Sequence, residues 1–321
     1  MDFTQTTSDN FNEFTLSTFH HQLSEIKVYR DFCKALGKDA TKISSWNEIP
    51  FLPISFFKTH RVCSEKPVVH IFESSGTGGH RSQHLVNDLT PYEQSFFPTF
   101  KKYIEKPLEE VSILALLPSY LERNNSSLVY MVNALLPQAH STSGFFLNDF
   151  EALRDQLLTN EKHGLKTLLL GVSFALLDFA EAFPMALKHT SIMETGGMKG
   201  RREELTRTEL HAQLCTAFQL NEIHSEYGMT ELFSQAYSKG KGVFECPPWM
   251  KVVCRDIQDP LTLLPYGKRG ALNIIDLANQ NSCAFIATED VGIVHEDGTF
   301  EILGRMNHAE IRGCNLLFSE S

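Results

Sequence analysis

Three short runs in this 321-residue chain combine residues suited to holding phosphates, a metal ion and a sugar. The first is Ser74-Ser75-Gly76-Thr77-Gly78-Gly79. Glycines let a backbone approach an anion closely, and hydroxyls with successive N–H groups donate to its oxygens. No Gly-Lys-Ser/Thr follows, and Gly76-x-Gly78-Gly79 lacks the spacing of a dinucleotide fingerprint. The same composition also suits a plain strand-to-helix turn. Arg81 is either a charge for a phosphate or an exposed side chain. The second run is Glu226-Tyr227-Gly228-Met229-Thr230-Glu231. Here Thr230 suits an α-phosphate and Glu231 suits Mg²⁺, a cation that takes hard oxygen ligands. Either residue equally suits a helix cap. The third is Thr288-Glu289-Asp290 with Gly304-Arg305 further on. An Asp there suits two ribose hydroxyls, joined by the Arg; a turn carboxylate and a solvated Arg are the alternative.

The elements that must position these runs follow from apolar patterning. Pro67–Phe72 predicts a strand feeding the first run, and Pro91–Ile104 a helix. Val111–Leu117 and Leu165–Leu170 predict buried strands, and Ser127–Leu136 and Phe174–Phe183 predict helices. Ser191–Glu194 reads as a short strand running into Gly196-Gly197. Arg202–Leu220 is the strongest helix, with Leu210, Leu214 and Phe218 at i, i+4 and i+8. An apolar strand around Ile223 precedes the second run. Strands alternating with helices predict an α/β fold of layered, mostly parallel sheets with flanking helices. Residues 1–50 read as polar helices.

After about residue 242 the pattern becomes β-rich. Val252-Val253, Ala271–Ile275, Ala284–Ala287 and Phe300–Leu303 read as strands, with a hairpin turn at Glu296-Asp297-Gly298. The expected division is therefore 1–241, an α/β body with an N-terminal helical segment and the phosphate loop, and 242–321, a smaller β-rich subdomain.

Composition narrows the function classes. The chain is 42% hydrophobic and 21% charged, enough for a sizeable core. A net charge of −10 argues against nucleic-acid binding through a general basic footprint. No stretch approaches the roughly 20 apolar residues of a membrane span, and no secretory signal is visible. Seven scattered cysteines, without a Cys-x-x-Cys pair, fit free thiols in a reducing cytoplasm.

The order of the motifs is more specific than any one of them. SSGTGG, ETGG, EYGMTE, TED and GR together resemble the adenylate-forming, acyl-activating superfamily over roughly residues 66–314. Within it, FESSGTGG, LPSYLERNNSSLVYM, ETGGMKGRREEL, EYGMTE and GRMNHAEIRGCNL resemble the LuxE-type acyl-protein synthetases. The resemblance implies the large N-terminal domain of adenylate-forming enzymes. It also implies ATP- and Mg²⁺-dependent activation of a fatty acid as acyl-adenylate, then transfer to a protein cysteine.

It further implies roles for individual residues. Ser74, Ser75, Gly76, Thr77, Gly78 and Gly79 would handle the β- and γ-phosphates. Gly196 and Gly197 would lie beside the adenine, and Tyr227, followed by Gly228, would stack on it. Thr230 would contact the α-phosphate, Glu231 would hold Mg²⁺, and Asp290 with Arg305 would hold the ribose. Cys314 would accept the acyl group, helped by Arg312 as a nearby cation and by the room Gly313 leaves. The implied partner is an acyl-reductase or another acyl-acceptor protein.

The chain departs from the superfamily pattern at two points. Gly78 stands where a second Thr is usual, and Arg81-Ser82 replaces a Pro-Lys pair. The sequence to Ser321 also leaves no room for the C-terminal domain whose lysine larger members use, so Arg305, Arg312 or a partner residue would compensate. An acyl- or aryl-CoA ligase, or a non-catalytic nucleotide- or acyl-binding subunit, remain alternatives.

Overall fold

The computed structural model describes residues 2–74, 81–117, 125–196 and 205–306. In chain order come helices α1 (Phe11–Glu25) and α2 (Lys27–Ala35), the short strand β1 (Leu52–Pro53) and the one-turn helix α3 (Phe56–Thr59). Strands β2 (His70–Glu73) and β3 (Gln83–Val86) form a hairpin whose arms flank the glycine-rich run. An alternating stretch follows: α4 (Thr90–Ile104), β4 (Ser112–Leu116), α5 (Ser127–Leu135), β5 (Gly144–Phe145), α6 (Phe150–His163), β6 (Thr167–Val172), α7 (Ser173–Ala182), β7 (Thr190–Thr195), α8 (Arg207–Phe218) and β8 (His224–Tyr227). The chain then turns to strands alone: β9 (Ala236–Ser238), β10 (Val243–Phe244), β11 (Met250–Arg255), β12 (Arg269–Asp276), β13 (Phe285–Val294) and β14 (Phe300–Arg305).

The layered α/β expectation is met, but parallel order holds in only one of the two six-stranded sheets. That sheet runs β5-β4-β6-β7-β8-β9 and is parallel except for the β8–β9 pair. The other runs β10-β14-β13-β12-β11 and is antiparallel, with β1 added in parallel beside β13. The difference has a plain cause. Parallel pairing needs a crossover connection, which α5, α6, α7 and α8 supply up to β8. Beyond β8 no helix separates successive described strands, so tight connections force them antiparallel. β4 and β6 are buried along their whole length, as strands covered on both faces must be.

Two helix starts have a plain local reason. Thr206 and Glu209 form a reciprocal capping box at the head of α8. Asp149 caps α6 through the Ala152 N–H, and Gly164 ends that helix at φ 65°. This helix was absent from the sequence expectation; only Leu153, Leu157 and Asn160 are buried along it, so its apolar stripe is narrow.

The N-terminal helices pack on the antiparallel sheet. The Tyr29 ring stacks on Phe285 with centroids 5.8 Å apart, and Phe19 meets the same ring edge-on at 6.1 Å. Beside them Leu52 and Pro53 pair with Ile286 and Ala287. β13 is thus flanked by β12 on one side and by β1 and then β14 on the other. Thr288-Glu289-Asp290 lies in the interior of this ten-residue strand, not in a turn.

Candidate active site

Asp290 sits where three strands converge. It pairs in register with Arg305 across β13 and β14, and the end of β8 brings Tyr227 to its other side. The carboxylate is 4% exposed. Its Oδ2 accepts from the Tyr227 hydroxyl at 2.7 Å, and its Oδ1 accepts from Arg305 Nε at 3.0 Å. Burial and the neighbouring Asp290 charge push the Tyr227 phenol well up, so it remains a donor. Asp290 likewise raises Arg305. The Arg305 side chain is mostly exposed, so its outer nitrogens face solvent beyond the Nε bond. The Tyr227 ring is held edge-on by Phe300 at 5.6 Å and Phe244 at 6.0 Å. A buried carboxylate with an exposed guanidinium beside it is a suitable receptor for a vicinal diol.

Thr230 and Glu231 follow in the turn after β8. Glu231 is 5% exposed, and burial raises its pKa against the opposing pull of the Ser82 hydroxyl, Arg305 and Lys58. Ser82 and Ser74 close the neck of the glycine-rich run. The Ser74 N–H donates to the Ser82 carbonyl, and the Ser82 N–H donates to Ser74 Oγ, both at 3.0 Å. The structure therefore brings the Glu231 carboxylate against the exit of the phosphate-loop candidate. Arg81 is half-exposed, with Nη1 3.9 Å from Glu73. The cation at Glu231 that sequence reading missed is Lys58, on α3. Its signal was weak, since a lone Lys in an amphipathic turn reads as a solvated face.

The ETG segment lies alongside. Thr195 pairs with Glu226 across β7 and β8, and Thr195 Oγ1 donates to Glu226 Oε2 at 2.5 Å. Burial, with a smaller contribution from the neighbouring Glu194 charge, pushes the Glu226 carboxyl up to about 7, though the Thr195 bond opposes this. Burial also acts to raise Glu194, but His211, Arg207 and Ser225 outweigh it, and its pKa ends below the usual value. Gly196 takes φ 71°, and its carbonyl accepts from Ser173 Oγ at 2.8 Å. A Cβ on Gly228 would lie 2.4 Å from Glu226 Oε1, so glycine is required while that carboxyl folds over it.

Tyr227, Asp290 and Arg305 are thus brought into direct contact, and Ser74, Glu231 and Thr230 are held close to the loop neck. Ser75, Gly76, Thr77, Gly78, Gly79, Gly197, Arg312 and Cys314 lie outside the described residues. Among the described residues no cluster of three His, Cys, Asp or Glu side chains forms a metal site. A Mg²⁺ bound through one carboxylate, phosphates and water needs no such cluster.

The family model of the acyl-protein synthetases, LuxE, matches residues 3–321. The chain belongs to this family. Two relatives fit that membership. A long-chain-fatty-acid–luciferin-component ligase of Vibrio harveyi is 26% identical over 318 residues, covering 91% of this chain and 83% of the relative. The ligase of the same name from Aliivibrio fischeri is 27% identical over 328 residues, covering 93% and 84%. Among solved structures, a 2-hydroxyisobutyryl-CoA ligase with 2-HIB-AMP and CoA aligns with a TM-score of 0.67 at 12% identity, over 94% of this chain and 69% of that one. ATP-bound MatB from Rhodopseudomonas palustris aligns at 0.56 with 18% identity, over 74% of this chain. The chain spans 48% of the length of MatB. These structural likenesses establish the adenylate-forming fold, and LuxE membership makes the protein a ligase that activates acyl groups. No helix among the described residues is long and apolar enough to cross a membrane.

Proposed function

We propose that this LuxE-family protein activates a fatty acid with ATP as an acyl-adenylate and passes the acyl group to a protein cysteine, its own Cys314. The observation that carries the site assignment is the Tyr227–Asp290–Arg305 contact, set beside a buried Glu231 at the neck of the glycine-rich run.

A free carboxylate is a poor electrophile, because its charge repels nucleophiles and oxide is a poor leaving group. In the first step a carboxylate oxygen bonds to the ATP α-phosphorus and the bond to pyrophosphate breaks. The protein's task is alignment and stabilisation of developing charge. Asp290 and Arg305 hold the ribose, and Tyr227 fixes Asp290 while its ring borders the adenine with Gly196 and Gly197. Thr230 donates to the α-phosphate. Ser75, Gly76, Thr77, Gly78 and Gly79 cradle the departing pyrophosphate, with Lys58 and Arg305 as nearby cations. Glu231 fits Mg²⁺ as a buried oxygen donor whose own pKa is held up by burial, against the pull of Arg305 and Lys58. A bound Mg²⁺ would neutralise phosphate charge there.

In the second step the Cys314 thiolate attacks the acyl carbonyl carbon, AMP leaves, and a thioester forms. An acyl-reductase or other acceptor protein then takes the acyl group. ATP–pyrophosphate exchange across a panel of carboxylic acids, with and without CoA, tests the first step. Exchange with long-chain acids is expected; none with any acid counts against adenylation, and CoA-dependent AMP release without labelled protein indicates an acyl-CoA ligase. For the second step, wild type should carry hydroxylamine-labile label from a radioactive fatty acid and Cys314→Ala should not. Equal labelling of the two refutes the acceptor assignment.

A further inference from the structure

We infer that His84, acting with Asn279, is a positioning residue for adenylation, holding the Thr230–Glu231 backbone against the hairpin that carries the phosphate loop. The inference rests on the proposed roles of Thr230 and Glu231. His84 lies in β3, directly opposite Phe72 in β2, so it spans both arms of that hairpin. It is fully buried. Nδ1 lies 2.9 Å from the Thr230 carbonyl oxygen and Nε2 lies 3.1 Å from Asn279 Oδ1. The ring stacks on Phe233 at 4.7 Å and meets Phe57 edge-on at 5.9 Å.

Asn279 extends the clamp by one residue. Its Nδ2 donates to the Glu231 carbonyl at 2.8 Å and to the Cys283 carbonyl at 3.0 Å. Both amide hydrogens are therefore committed, and Oδ1 must face the imidazole. Just beyond, the Phe233 and Ser234 N–H groups donate to Asp276 Oδ2 at 2.7 and 3.0 Å. The turn after β8 is thus pinned at successive backbone groups by three side chains from other elements.

The two sides of His84 are not equivalent. A carbonyl oxygen only accepts, so Nδ1 must carry the proton given to Thr230. Asn279 Oδ1 also only accepts, so a neutral ring gains little on its Nε2 side. Burial favours that neutral ring, drawing the His84 pKa down to about 4. The function of the residue is concentrated in the Nδ1–H bond. An apolar replacement would leave the Thr230 carbonyl short of its donor in a dry site. Displacement of the Thr230 backbone would carry its side chain off the α-phosphate.

The test compares two substitutions of similar polarity. His84→Asn places an amide N–H where Nδ1 stands; His84→Gln places one where Nε2 stands. Pyrophosphate-exchange kcat, KM for the acid and melting temperature are measured for wild type, both variants and Asn279→Ala. His84→Asn should keep kcat within about threefold of wild type, whereas His84→Gln should lose about 30- to 100-fold, the scale of a small misplacement of a reacting group. Acid KM should stay within about twofold in both, because the fatty acid is not touched. Asn279→Ala should lose about tenfold in kcat in the same way. Equal rates for His84→Asn and His84→Gln, or rate losses that merely track melting temperature, overturn the inference. If wild type exchanges no pyrophosphate with any acid, the adenylation reading fails. The clamp is then judged on ATP binding: equal affinity in wild type and His84→Gln overturns it, and weaker binding restored by His84→Asn supports it.

Discussion

Replacing Glu226 by Gln should make the protein more stable at neutral and alkaline pH. The carboxyl is 9% exposed, is raised to about 7 by burial, and accepts a hydrogen bond from Thr195. In the unfolded chain it titrates near the ordinary value of 4.5. Its folded pKa is raised, so between those values the folded protein holds a proton that the unfolded chain has released. Stability from this group is then complete below the unfolded pKa and falls as pH rises to the folded one. Gln cannot ionise, and its amide oxygen can still accept from Thr195. At about 1.4 kcal/mol per unit, the stability of Glu226→Gln relative to wild type should improve by about 2.5 kcal/mol between about pH 5 and about pH 8. Urea unfolding of both proteins at several pH values gives this difference directly, because other titrating groups cancel. A difference that stays flat across the range, or grows in wild type's favour, refutes the argument that the carboxyl is buried without adequate compensation.

Three further outcomes follow from the site. Tyr227→Phe removes a donor from the Asp290 carboxylate; losing a bond to a charged group, worth about 1.5–3 kcal/mol, should raise the KM for ATP about tenfold or more in exchange assays. Glu231→Gln should lower exchange kcat about 100-fold and shift the Mg²⁺ dependence to higher concentration, and an unchanged Mg²⁺ titration would remove Glu231 from the metal site. Asp276 is fully buried and accepts four bonds, from the Phe233, Ser234 and Ala278 N–H groups and the Ser234 hydroxyl. Asp276→Ala should cost about 3–5 kcal/mol in chemical denaturation, because buried donors are left unpaired.

The centre of the parallel sheet was legible because β4 and β6 are largely apolar, fully buried runs. α8 showed itself through Leu210, Leu214 and Phe218, all buried in the structure. The interior of β13 was harder to read. Thr288-Glu289-Asp290 has the composition of a turn, and only partners from β8 and β14 make a buried Asp tolerable within a strand. Glu226 was missed because an acid beside Tyr227 reads as part of a motif, while its raised pKa depends on Thr195 and Glu194 across the sheet. His84 and Asn279 were invisible for a related reason. Their partners lie 146 and 195 positions apart in the chain, and no local pattern encodes such pairings.

The parallel seating of β1 beside β13 bears on how the protein is made. Leu52 pairs with Ile286, so the first strand of the antiparallel sheet leaves the ribosome long before its partner. At about 5–20 residues per second, that wait lasts on the order of 10–50 s. During it the aromatic faces of α1 and α2, which Phe285 later covers, stand open to water. Nascent chains arrested before about residue 285 should therefore be sticky and chaperone-dependent, and synthesis of β13 is the event that relieves them.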